Sequence, residues 1–168
     1  MNTMASPSPW NSVDWTGAVW SGVIPLAATV VENGLIFTFG TMADPNYAAV
    51  PFAPPGWVVG MVWTVIYPTW GLARWRAWTS GPDGQREAWW AVALIVWGLL
   101  YPVGGLFWTT EVSALANLAS LVLAAVVTWR VARVSRAAAL WMAPSLAWLA
   151  FATYFGYAAA RIAAGQAA

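Results

Sequence analysis

The chain contains no cysteine and no histidine, and all seven of its basic side chains are arginine. Without cysteine there is no disulfide, no thiolate nucleophile and no thiolate metal site. Without histidine, the commonest metal and haem ligand and the usual general base are missing. Without lysine, no Schiff base can form. Charge is scarce as well: 8% of the 168 residues are charged, against about 25% in soluble domains. A surface so poor in charge does not suit water, so the chain is expected to be an integral membrane protein. Its net charge of +1 offers no basic footprint for nucleic acid. No Ser/His/Asp arrangement, paired carboxylates at helical spacing or phosphate loop stands out. The expectation is therefore no catalytic residues, no metal site and no obligatory cofactor; whether the chain is an enzyme stays open, with a non-enzyme favoured.

What is present is apolar and aromatic. Hydrophobic residues make up 61% of the chain, and there are fifteen tryptophans. A bilayer core about 30 Å thick needs roughly 20 apolar residues in helix. Five stretches qualify, at about 15–40, 57–78, 88–108, 112–129 and 138–160. The predicted fold is all-α, an integral membrane bundle of five transmembrane helices over residues 15–162. A flexible tail is expected at 1–14 and a short C-terminal tail at 163–168. The N-terminus lacks a basic n-region and a separate apolar region, which argues against a cleaved signal peptide. Tryptophan favours membrane interfaces, but several of these rings lie well inside the apolar runs, so an interfacial belt accounts for only part of the set.

The connections carry turn chemistry. Asp14 can cap the first helix. Asp44-Pro45-Asn46 and residues 51–56 form a turn-rich loop, Ser80-Gly81-Pro82-Asp83-Gly84 is a strong turn, and Thr109-Thr110-Glu111 supplies capping groups. Residues 130–136 read as a short basic link. Arg74, Arg76, Arg86, Arg130, Arg133 and Arg136 all fall on one side of a five-span bundle, with Arg161 on the other. The positive-inside rule then predicts a cytoplasmic N-terminus, and the expected location is a bacterial inner membrane.

Two stripes could line a site. Trp63, Tyr67, Trp70 and Arg74 recur at helical spacing on the second span. They form either an ordinary bundle seam or a wall that stacks on a flat apolar ligand. Gly56 and Gly60 make a Gly-x-x-x-Gly pair, which permits close helix contact. On the fifth span Trp148, Ala152, Gly156 and Ala160 place one ring above a run of small residues. That run serves either a helix crossing or room for a ligand. Glu32 is the one acid deep in a span, where insertion costs about 3 kcal/mol. Arg161, near the same face, is its expected ion-pair partner; the alternative is a ligand or proton role. Asn33 and Asn117 are expected to make helix–helix hydrogen bonds.

Taken together, these residues resemble the TspO/translocator protein family, also known as tryptophan-rich sensory proteins and peripheral-type benzodiazepine receptors. The family's Pro-Pro-x-Trp start to the second helix reads here Pro54-Pro55-Gly56-Trp57, followed by Trp63-Thr64-Val65-Ile66-Tyr67. Its fifth-helix signature reads Pro144-Ser145-Leu146-Ala147-Trp148-Leu149-Ala150-Phe151-Ala152. The chain departs from the pattern as a divergent member. The third helix keeps Pro102 but lacks the family's Asn, reading Trp97-Gly98-Leu99-Leu100-Tyr101-Pro102. Phe155-Gly156 replaces a Leu-Asn pair, and Ser145 replaces a tyrosine.

The resemblance implies a membrane protein that binds a porphyrin- or tetrapyrrole-like ligand for sensing, transport or turnover. Trp63 and Trp148 would then be pocket walls and Ala152 the small floor residue. Phe52 and Trp57 would flank the loop side, with Tyr67 on the same stripe and Tyr47 as the loop aromatic. The expected partners are the lipid bilayer, the porphyrin-like molecule, and a second copy or a larger complex. The competing expectation is a non-catalytic accessory or structural subunit of a larger membrane complex, for example a pigment–protein one. The lost third-helix Asn and the alanine-rich fourth span favour it.

Overall fold

The computed structural model describes residues 14–39 and 45–166, and its regular structure is entirely α-helical. Five long helices, α1 (Trp15–Phe39), α3 (Gly56–Trp78), α4 (Pro82–Gly105), α5 (Thr110–Val134) and α6 (Arg136–Gln166), are accompanied by a single turn, α2 (Pro45–Ala48). The expected N-terminal tail lies outside the described residues, apart from Asp14, as does the part of the first loop at 40–44. Of the expected C-terminal tail, 163–166 belong to α6 and the rest lies outside.

The helix ends follow from local chemistry. Asp14 caps α1, its Oδ1 accepting the Gly17 N–H at 2.8 Å. Thr109 caps α5 by accepting the Val112 N–H. The turn at 80–84 is shorter than its sequence suggests. Gly81 takes φ 99°, a conformation that glycine adopts without strain, and Pro82 then opens α4 at N1 with Asp83 in the first turn. The basic stretch 130–136 is not a link. Arginine is a good helix former, so α5 runs on to Val134 and α6 begins at Arg136; only Ser135, in extended backbone, separates them.

α3 is the hub. It touches α1, α4, α5 and α6, while α5 and α6 form the most extensive pair and α2 rests on α6. The main core joins Tyr67, Trp70 and Ala73 of α3 to Leu94 of α4, Val127 of α5 and Met142 and Leu149 of α6.

By length and composition, α1, α4, α5 and α6 can each cross a membrane. The chain is thus an integral membrane helical bundle. α3, expected to be the second span, falls outside that group although its 23 residues would reach about 35 Å. Its aromatic rings and Arg74 and Arg76 occupy places that aliphatic side chains would fill. In contact with four other long helices, α3 turns much of its surface to protein rather than to lipid.

Inter-helix polar contacts anchor the arrangement. Asn33 of α1 donates to the Gly60 carbonyl (3.1 Å) and to Thr64 Oγ1 (3.3 Å) of α3. Asn117 of α5 donates to the Ala152 carbonyl of α6 (3.3 Å). Both match the roles expected of these asparagines. In lipid, such bonds supply part of the attraction that the hydrophobic effect cannot.

Candidate functional site

The α3 stripe faces into the bundle, and its members differ in environment. Tyr67 and Trp70 are buried, whereas Trp63 is half-buried against the main core. The three rings pack edge to face or tilted, at centroid distances of 5.4–6.0 Å. Arg74 leaves the seam for α1, where it donates to Ser21 Oγ at 2.9 Å and stands over the Trp78 ring at 5.6 Å.

Trp70 also fixes the level at which α3 meets α6, because its indole Nε1 donates to Ser145 Oγ at 2.9 Å. Ser145 in turn donates to the Met142 carbonyl. Trp148 lies one turn beyond Ser145, toward the first loop. Trp63 lies two turns beyond Trp70 in the same direction. At about 1.5 Å per residue, the two half-buried tryptophans occupy the same half of the bundle, and both pack on the main core.

Trp148 begins a second aromatic series. Its ring is 5.5 Å from Phe151, Phe151 is 5.6 Å from Phe155, and Phe155 stacks on Tyr47 of α2 at 5.9 Å. Val50, Phe155 and Ala159 form a small core, with Tyr47 and Ala53 packed on it. The loop carrying Tyr47 is thereby seated on the end of α6. Asn46 adds a hydrogen bond from Nδ2 to Thr110 Oγ1 of α5 (3.3 Å).

The small residues below Trp148 face α5. A methyl group at Gly156 would sit 2.9 Å from Asn117 Nδ2 and 3.2 Å from the Ala114 Cα. Glycine is required there for the close crossing of α5 and α6. Ala152 is half-buried. Of the remaining expected site residues, Phe52 is 98% exposed and Trp57 is 61% exposed. Tyr67, at 2% exposure, belongs to the packed interior.

Glu32 and Arg161 are not brought together. α1 lies on α3 and α4, whereas α6 lies on α3, α5 and α2. Among the described residues the one ion pair is Glu87 with Arg130.

The third-helix departure has a structural counterpart. A Cβ at Gly98 would stand 2.6 Å from the Tyr67 hydroxyl and 3.3 Å from the Trp70 ring. At Gly98, α4 thus makes room for two aromatic rings of α3. Trp97 turns to α5 and donates to Ser120 Oγ at 2.8 Å.

One polar atom of the aromatic wall has no counterpart. Trp148 Nε1 is buried and has no hydrogen-bond partner, a state it shares with Trp75 Nε1 and Thr128 Oγ1. Trp75 is near the end of α3 and Thr128 near that of α5, both at the arginine-rich end. Trp148 is the one that stands among the rings.

A family comparison bears on this arrangement. The TspO/MBR family model matches residues 15–161. The chain belongs to the TspO/MBR family. The match runs from the start of α1 to Arg161 in α6 and includes the loop after α1, so the two tryptophan stripes and the loop seated on α6 belong to a TspO-like membrane protein. No curated protein matches the chain.

Sequence reasoning missed Ser145 as the acceptor for Trp70 and Gly98 as the seat for Tyr67. A glycine inside a helical run does signal close approach, so Gly98 carried a usable sign. Ser145 carried none, because its partner is 75 residues away.

Proposed function

We propose that this TspO/MBR-family protein holds a flat, apolar, tetrapyrrole-like ligand between α3 and α6, for sensing, transport or turnover. Trp63 and Trp148 are the facing walls, Ala152 lies beneath, and the loop bearing Tyr47 covers the site. In this reading α3 is the fifth transmembrane span, and the arginine-rich end faces the cytoplasm of a bacterial inner membrane. The observation that carries the proposal is the unpartnered indole N–H of Trp148. A buried donor without an acceptor is costly, more so in a bilayer. An acceptor atom on a ligand lying against the ring relieves that cost while the π-faces supply stacking. Arg161, exposed toward the loop end of α6, would offer a charge partner to a carboxylate on a ligand that extends to that end.

The test is a titration of the purified protein with porphyrins, followed by tryptophan fluorescence. Trp63→Ala and Trp148→Ala should each weaken binding about tenfold, or roughly 1–2 kcal/mol per lost stacking contact. Unchanged affinity in both variants, with helicity intact, would remove the site.

A second reading, an accessory subunit of a larger membrane complex, draws on Phe52 and Trp57, two aromatic side chains exposed at the loop end. Purification in native lipid separates the two. A stable homodimer that binds porphyrin supports the first reading, and obligate co-purification with other subunits supports the second.

A further inference from the structure

At the arginine-rich end, the start of α4 and the end of α5 enclose a cleft of about 270 Å3 lined by Asp83, Arg86, Glu87, Arg130, Arg133 and Val134. Its charges are not equivalent. Glu87 is buried, and it receives two hydrogen bonds from Arg130, Nε to Oε2 at 2.7 Å and Nη2 to Oε1 at 3.0 Å. The Arg130 guanidinium also lies over the Trp90 ring at 4.9 Å. This pair cancels its own charge and is held rigid. Arg86 and Arg133 are exposed, and neither forms an ion pair among the described residues. Arg133 is braced over Trp129 at 5.3 Å. Asp83, on the same rim, carries an exposed carboxylate. Three arginines against two acids leave the lining one unit positive.

The position of the cleft restricts what can fill it. It sits where two membrane-crossing helices end, amid the exposed tryptophans Trp89, Trp90 and Trp129, which mark headgroup depth. Two free guanidiniums suit phosphate oxygens. The nearby Asp83 carboxylate suits a hydroxyl donor beyond the phosphate and disfavours a bare polyanion.

We propose that this cleft binds the headgroup of an anionic phospholipid of the phosphatidylglycerol type. Arg86 and Arg133 hold the phosphate, and Asp83 accepts a hydrogen bond from a glycerol hydroxyl. The Glu87–Arg130 pair forms the fixed back wall. The site is separate from the tryptophan region and does not depend on tetrapyrrole binding.

The test uses the full-length protein in detergent, with bound lipid counted by native mass spectrometry. Phosphatidylglycerol should be retained well above phosphatidylcholine. Arg86→Gln with Arg133→Gln should lower phosphatidylglycerol occupancy about tenfold, more than the same loss of charge elsewhere at this end. The control pair Arg76→Gln with Arg136→Gln, outside the cleft, should leave it nearly unchanged. Each cleft single variant should give an intermediate value, which keeps the test open if the double variant does not fold. Equal losses in both double variants would overturn the proposal in favour of diffuse charge attraction. Displacement of phosphatidylglycerol by millimolar inorganic phosphate would overturn the lipid assignment in favour of a free-anion site.

Discussion

Trp70 and Trp148 are both indoles on the inner faces of long helices, yet their surroundings differ. Trp70 is 1% exposed and gives its N–H to Ser145. Trp148 is half-buried, and its N–H has no acceptor. The first fills the seam where α3, α4 and α6 converge, with its polar atom satisfied within the protein. The second has the same chemistry on α6, one turn beyond Ser145, but its polar atom has no acceptor. The contrast separates an indole whose polar atom is satisfied within the bundle from one whose polar atom is not.

The largest expected effect lies on the structural side of this pair. Trp70→Ala should destabilise the protein by about 3–5 kcal/mol, the usual cost of deleting a buried aromatic ring. Unfolding in detergent measures it, and Trp148→Ala under the same conditions should cost clearly less. Ser145→Ala sharpens the comparison by making Trp70 resemble Trp148. It leaves a buried N–H without an acceptor, at a cost of about 1–3 kcal/mol. A neutral outcome would mean that Trp70 does not depend on this bond.

Trp148→Phe keeps an aromatic ring and removes the orphan donor together with part of the indole. Without ligand, relief of the orphan donor should offset the lost packing and leave stability within about 1 kcal/mol of the parent. Porphyrin affinity should fall by less than in Trp148→Ala. Destabilisation well beyond the cost of the lost ring volume would show that the N–H has a partner of its own. The smallest effect concerns the two charges that the fold keeps apart. Glu32→Gln and Arg161→Gln should be additive in thermal stability to within about 0.5 kcal/mol, and a larger coupling would bring α1 and α6 together at that level.

Much of the fold is legible in the chain. The scarcity of charge, the long apolar runs and the turn residues between them identify a membrane helical bundle, because lipid tolerates only backbones that satisfy their own hydrogen bonds. The N-caps at Asp14 and Thr109 were readable for the same local reason. The boundary near residues 130–136 was not. Charge suggests a link, but arginine sustains a helix, and the break rests on Ser135 alone. For the site, Trp63 and Trp148 could be picked out by spacing and family resemblance. Their standing apart from Trp70 and Tyr67 could not, since all four are aromatic residues at helical intervals.

The sequence by itself determined the class of the protein, its aromatic stripes and its arginine-rich end, because composition and periodicity are properties of the chain alone. Tertiary structure decided which rings became core. It set Tyr67 against Gly98, tied Trp70 to Ser145, spent Gly156 on the crossing with α5 and left Trp148 without an acceptor. It also kept Glu32 from Arg161 and joined Glu87 to Arg130 instead. Each of these outcomes depends on which helices lie side by side, and residues far apart in the chain carry no local signal of that adjacency.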